Sequence, residues 1–307
     1  MTSPSYLQDN PDELRQRWLN RYIRVQAKTD TRIRTVLIEG AEDVYKEIES
    51  LASSQTFSDG VKRAQLRMVM QQVRSVLNDV FGQFAPIIND GSKQAAKAAV
   101  DAFTETDRQF LELAFAQTAS ASGISVAEFV EGQRRSAMLG VANTVSRLSR
   151  SEQPLSGRVY RTKYLANQWV QRQVNSGILR NASAKEIAKT VRKSIRPSTP
   201  GGVSYASLRL ARTELNNAFH ATSIALSEDR PWVESMAWNL SKVHDYNASN
   251  VPEICEIYGK QTFKVNQVPP KPHPQCRCFV TPQLQSFDLF VRDLTAGQYT
   301  DWIKNAA

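Results

Sequence analysis

The sequence predicts a mainly α-helical protein, with long amphipathic helices in its N-terminal part and a small α+β C-terminal module carrying a Cys/His cluster. Three observations carry that expectation. Apolar residues recur at three-to-four spacing from Asp12 to about Arg150, the period of a helix with one buried stripe. Beyond Pro231 that period gives way to short strand-like runs and a loop rich in Pro and Asn. Finally, all three cysteines fall between residues 255 and 278, and all three histidines between residues 220 and 273.

Taken in order, the first periodic run covers Leu14, Trp18, Tyr22, Val25, Ile33, Leu37, Val44, Ile48 and Leu51. Its length of about 40 residues fits one long helix, or two that break near Thr29–Asp30. Ser58-Asp59-Gly60 marks a turn before a second helical run, and Asp90-Gly91-Ser92 reads as the next break. An Ala-rich stretch and a helix over Asp107 to Ala119 follow, then a loop at Ser120–Gly123 and a further helix to about Arg150. Pro154–Gly157 reads as a boundary. Ser183, with Glu186 three residues on, is a capping box that starts a short helix. Pro197–Gly202 is a loop, and a long helical run then ends near Asp229. WVESMAWNLS favours a strand, the stretch from His244 to Pro274 with its five prolines favours a loop, CFVTPQL a returning strand and the last twenty residues a terminal helix. Three segments result: a helical region 1–150, a basic helical segment 151–230 and a small α+β module 231–307.

Hydrophobic residues make up 41% and charged residues 22%, the balance of an ordinary globular chain. No run approaches the roughly 18 apolar residues of a membrane helix. The N-terminus is polar and acidic where a secretory signal has an apolar core, so the expectation is a product made in a cytosol, without a membrane partner. Net charge is +9, and its placement matters more than its size. Residues 151–200 hold ten Lys/Arg against two Asp/Glu. A basic excess gathered in one segment fits a polyanionic partner as well as a solvated helix face. The candidate contacts are Arg158, Arg161, Lys163, Arg172, Arg180, Lys185, Lys189, Arg192, Lys193 and Arg196.

The stretch PPKPHPQCRC, Pro269 to Cys278, holds a histidine and two cysteines within six residues. A long loop has little apolar material to hold it, and a tetrahedral zinc would contribute that folding free energy directly. His244, Cys255, His273, Cys276 and Cys278 are the candidates, one more than four-coordinate zinc takes. His273 and Cys276 have the two-residue gap common in zinc loops, whereas Cys276 and Cys278 share a face only if the chain bends there. A disulfide from Cys255, or simple burial of small side chains, is open beside the metal reading. A catalytic zinc would need an open coordination position and a nearby acid or base, for which only Glu253 and Glu256 offer themselves.

Three pieces of the last 125 residues together resemble the phage Mu F-like minor head proteins, also called phage head morphogenesis proteins. They are NASAKEIAKTVRKSI, the Ala211-Arg212-Thr213-Glu214 run within LRLARTELNNAFHATSIA, and WNLSKVHDYNASNVPEICEIYGK followed by the His-Pro-x-Cys-Arg-Cys signature at His273–Cys278. The match covers roughly 40% of the chain, and Ala248-Ser249-Asn250 lengthens the interval between His244 and Cys255 beyond the family pattern. The resemblance implies a non-enzymatic minor capsid protein of a tailed bacteriophage, inside the head at the portal vertex of the virion. It implies binding to the portal protein and to packaged double-stranded DNA without sequence readout, in capsid assembly or DNA ejection, with major capsid or scaffold protein as a further partner. Residues 1–150 would then form the assembly interface. A structural zinc on Cys255, His273, Cys276 and Cys278, with His244 as alternative, would pin the C-terminal module. Arg212 and Glu214 would hold their helix against that module. The competing classes are a zinc-dependent hydrolase, nuclease or toxin-like enzyme using the cluster, and a cytosolic DNA-binding protein supported by charge alone.

Overall fold

The computed structural model describes residues 11–52, 59–117, 125–149, 154–180, 182–196, 203–241 and 253–306. Seven long or medium helices come first: α1 (Pro11–Ala52), α2 (Asp59–Gly82), α3 (Phe84–Gln117), α4 (Val126–Ser149), α5 (Leu155–Leu179), α6 (Ala184–Ile195) and α7 (Val203–Glu228). Strand β1 (Val233–Asn239), the short helix α8 (Ile254–Tyr258), β2 (Thr262–Phe263), a 3-10 turn (Val265–Gln267) and β3 (Phe279–Leu284) form the α+β part, and α9 (Phe287–Thr295) and α10 (Thr300–Ala306) end it. The mainly helical class with a small C-terminal α+β module is therefore what the chain adopts.

Of the two arrangements open for the first helical run the chain takes the unbroken one, and one expected boundary is absent. α1 is a single helix through Thr29–Asp30, because Thr29 is buried and the Asp30 carboxylate is met by Arg212, whose Nη2 lies 2.7 Å away. The expected break at Asp90-Gly91-Ser92 does not occur. α3 runs through it, with Asp90 paired to Arg32 and Ser92 buried, and the chain turns instead at Gln83, just after Gly82. Turn-forming residues set only a local preference, which tertiary partners override here.

The chain divides into two compact units that interleave in sequence, one drawn from 27–91 and 149–212, the other from 1–26, 92–148 and 213–307. In the first, Ile33, Leu37, Val44 and Ile48 of α1 form one stripe against Val73, Leu77 and Val80 of α2, Phe84 and Ile88 of α3, and Val170 and Val174 of α5. α6 adds Ile187, Val191 and Ile195 to the same core, spaced one helical turn apart. Its start has both halves of the capping box, with Ser183 N donating to Glu186 Oε2 at 2.7 Å and Glu186 N to Ser183 Oγ at 3.3 Å.

The second unit holds three apolar clusters. Trp18 and Tyr22 pack on Phe103, Val141, Val145 and Phe219; Phe110, Phe129, Trp232, Phe287, Phe290 and Tyr299 form an aromatic group; and Met236, Trp238, Val280 and the three cysteines form the last. The sheet is antiparallel in the order β2-β1-β3, with Trp238 opposite Val280 and Asn239 opposite Phe279. At the end of α7 the Arg230 guanidinium is buried against Asp107, with Nε 2.8 Å from Oδ2, and stacks 4.9 Å above the Phe103 ring. Burial drives the Asp107 carboxyl upward, and the guanidinium opposes that shift.

Two measurements test this packing. Replacing Arg230 by Met leaves Asp107 buried and unpaired, and is expected to cost about 3–5 kcal/mol in urea unfolding, most of it recovered by Asp107→Leu in the same chain. A Cβ on Gly40 would lie 2.2 Å from Val80 Cγ2, so Gly40→Ala is expected to destabilise despite the better helix propensity of alanine. In a Val80→Ala background the same change becomes neutral or stabilising.

Candidate metal centre

Cys255 lies in the first turn of α8, a helix only five residues long that needs its own start signal. Glu253 supplies the cap, and its backbone N donates to Glu256 Oε2 at 3.2 Å. This sets the Cys255 side chain inward, fully buried among Met236, Trp238 and Val280.

The other half comes from the turn His273-Pro274-Gln275-Cys276, closed by Cys276 N donating to His273 O at 3.3 Å. Pro274 presets the second turn position, and Gln275 adopts φ +61°, as the third position of a type II turn requires. A non-glycine residue there costs on the order of 1 kcal/mol, so the turn needs outside support. α7 provides it. Thr213 Oγ1 accepts from Gln275 N at 3.1 Å, Asn216 Nδ2 donates to Cys276 O, and His220 Nε2 lies 3.0 Å from Pro269 O. Residues 213, 216 and 220 follow the spacing of a single helix face, so α7 presents one polar stripe to the whole loop. His220 is itself buried, which pushes its pKa down to about 3, with Lys271 lowering it further and Pro269 O opposing. It is thus a neutral structural ring at physiological pH.

The turn is the bend that Cys276 and Cys278 needed in order to face one way. Both thiols lie with Cys255 in a set whose sulfurs are all within 4.8 Å of one another, and each of the three residues is at most 2% exposed. A second set, Glu253, Cys255 and His273, shares Cys255 with the first. Cys255 Sγ is 3.6 Å from Cys276 Sγ and 3.3 Å from His273 Nε2. Two sulfurs at 2.3 Å from one tetrahedral ion stand about 3.8 Å apart, and a sulfur and an imidazole nitrogen about 3.6 Å. These two separations fit ligands that share one ion through Cys255, and are far beyond the ~2.05 Å of a disulfide. All three cysteines are free thiols. The Cys255, Cys276, Cys278 and His273 cluster can hold a metal.

The surroundings orient the donors. His273 Nδ1 lies 3.1 Å from Pro274 O, which turns Nε2 toward Cys255. Glu253 Oε1 is 2.9 Å from the same Nε2 and offers a carboxylate oxygen at this corner. Hydrogen bonding to Cys276 and Cys278, together with burial, raises the pKa of the Cys255 thiol. The Cys276 thiol is lowered by its contact with Cys255, but Cys278 and burial outweigh that and carry it upward. Burial pulls Lys271 down to about 8, with the charges of Cys276, Cys278 and Cys255 opposing.

His244 lies outside the described residues. Arg212 and Glu214 lie on α7, and Arg212 pairs with Asp30 of α1 through Nε at 2.9 Å and Nη2 at 2.7 Å. Glu214 is buried. The residues that grip the cluster are Thr213, Asn216 and His220, which the motif reading passed over. Their i, i+3, i+7 spacing was the available signal.

The ten basic candidates divide. Lys185, Lys189 and Lys193 form an exposed stripe along α6, opposite its buried Ile187–Val191–Ile195 face, and Arg161, Arg172 and Arg180 are also exposed. Arg158 and Lys163 are half-buried. Arg192 and Arg196 both pair with Glu42, Arg192 Nη1 at 3.4 Å, and Arg192 stacks on the Tyr45 ring at 4.5 Å. Desolvation raises the Glu42 carboxyl, but the two guanidiniums win and hold it below its usual value. On the same unit, a groove of about 640 Å³ runs between α2 and α5, lined by Met70, Gln71, Arg74, Ser75, Asn78, Gln171 and Asn175. Among the described residues, no helix is long and apolar enough to cross a membrane.

Because the Cys255 and Cys276 thiols are pushed above their usual pKa, metal loading must release their protons, and the affinity for Zn2+ is expected to rise steeply with pH between about 6 and 8. Isothermal titration in buffers of different ionisation enthalpy measures the protons released; a release near zero would count against thiolate ligation. Comparison of the chain with protein-family models, with characterised proteins and with solved structures finds no match.

Proposed function

We propose that this chain is a non-enzymatic minor head protein of a tailed bacteriophage. In this reading it sits inside the capsid at the portal vertex, contacts portal protein and packaged double-stranded DNA, and serves capsid assembly or DNA ejection. The reading begins in the resemblance of residues 181–195, 208–225 and 238–282 to the Mu F-like family. The observation that supports it best is that the second and third of these pieces form one built assembly. The Thr213–His220 face of α7 grips the loop whose cysteines meet Cys255 against β1. A conjunction of chance motifs would give no such mutual fit.

Zinc is the metal this donor set favours, since three thiols and an imidazole are soft and borderline ligands. Four protein donors leave no coordination position for water, and the three sulfurs are shut off from solvent. That is the character of a structural site, whereas a hydrolase or nuclease keeps one position open. The exposed Lys185–Lys189–Lys193 stripe and the arginines of α5 supply phosphate contacts without a base-reading element.

The deciding experiment is mass spectrometry of gradient-purified virions. Peptides of this chain should be present at low copy number and resist protease until the capsid is opened; their absence from virions would sink the proposal. Gel shifts over a salt series test the DNA contact. The triple change of Lys185, Lys189 and Lys193 to Ala is expected to reduce the slope of log affinity against log salt by roughly 2–3, equally for unrelated sequences. A plasmid-nicking assay with Mg2+ or Zn2+ is expected to show no cleavage.

A further inference from the structure

A divalent ion held by three thiolates and a neutral imidazole carries a net charge of −1. Buried as these sulfurs are, such a charge is costly unless a cation stands beside it. Glu253, next to His273, adds a negative charge rather than relieving one. Arg277 stands between the two buried cysteines in sequence and, like Lys271, is partly exposed, so placement rather than burial separates the two cations.

Lys271 meets the requirement. Its Nζ donates to the backbone carbonyl of Cys278 and lies 4.8 Å above the centre of the Trp238 ring. Trp238 is 3% exposed and is held in place by His220 at 5.7 Å and Tyr258 at 5.1 Å between ring centres, so the platform under the ammonium is rigid. Pro270 and Pro272 flank Lys271 and fix the backbone on either side, which presets where the side chain is aimed.

We propose that Lys271 is the built-in counter-cation of the Cys255–His273–Cys276–Cys278 centre, a positioning residue that balances the negative charge the loaded site acquires. The inference rests on the metal reading above. It assigns a role to a residue that donates nothing to the ion.

Zinc titration of the full chain against a chromophoric chelator tests it, with Lys271→Gln as the main variant. Glutamine keeps a donor for the Cys278 carbonyl and removes the charge. The expected result is one Zn2+ per chain in both proteins, with affinity about tenfold to a hundredfold lower in Lys271→Gln and largely restored in Lys271→Arg. With Co2+ in place of zinc, the thiolate-to-cobalt charge-transfer band should move to lower energy in Lys271→Gln and return in Lys271→Arg, because uncompensated thiolates give up charge more readily. Loss of packing alone would not shift the band of a site that still holds one ion. If Lys271→Gln fails to fold, Lys271→Met is read in the same two ways. Wild-type affinity and an unmoved band in the neutral variants overturn the inference while leaving the metal reading intact. A wild-type chain that binds neither ion overturns the metal reading itself.

Discussion

The C-terminal module depends on a contact between two stretches of chain that have almost no regular structure of their own. Cys255, on a five-residue helix, meets His273 at 3.3 Å and Cys276 at 3.6 Å from a proline-rich loop. Everything downstream follows from where that loop is delivered. Cys278 is followed at once by Phe279, which opens β3 opposite Asn239, so the turn that aims the thiols also sets the strand register. A slip of one residue would move Cys276 and Cys278 out of the core and reverse the faces of Phe279 and Val280. Phe287 and Phe290 of α9 reach the aromatic group under β1 only if β3 arrives in register.

The same contact explains the polar face of α7. A long helix with Thr213, Asn216 and His220 in one line would be poorly placed against an apolar core. Against a loop it is well placed, because irregular backbone carries donors and acceptors that must be satisfied when buried. Thr213 and Asn216 take up an N–H and a carbonyl of the strained turn, and His220 faces the carbonyl of Pro269. The positive φ of Gln275 is held by these bonds and by the convergence of the thiols it makes possible.

Charge is used in two ways on this chain. Arg230, Arg212, Arg192 and Arg196 are committed to carboxylates, and the first of these pairs is almost wholly removed from water. Lysines 185, 189 and 193 are turned outward from the same helix that carries Arg192. A guanidinium suits fixed, forked pairing, and an ammonium on a flexible stem suits a partner met in many registers. In the proposed function the arginines at the end of α6 hold the fold together and its outward-facing lysines meet DNA.

Much of this was legible in one dimension. The α6 capping box, the amphipathic stripe of α1, the strand at Val233–Asn239 and the membership of Cys255, His273, Cys276 and Cys278 in one cluster rest on local periodicity, local hydrogen bonding and donor chemistry, which sequence carries directly. Other features were settled only by tertiary partners. Asp30 stays inside a helix because Arg212 meets it, and Asp90 because Arg32 does; Cys276 and Cys278 face one way because α7 supports a turn. Lys271 gains its significance from the Trp238 ring beneath it. The sequence by itself determined which segments are helical and which side chains can bind a metal, since both depend on residues near one another along the chain. Only the tertiary structure decided which helix breaks are real and how the donors are aimed, since those outcomes depend on groups 60 to 180 residues away whose pairing no local pattern encodes.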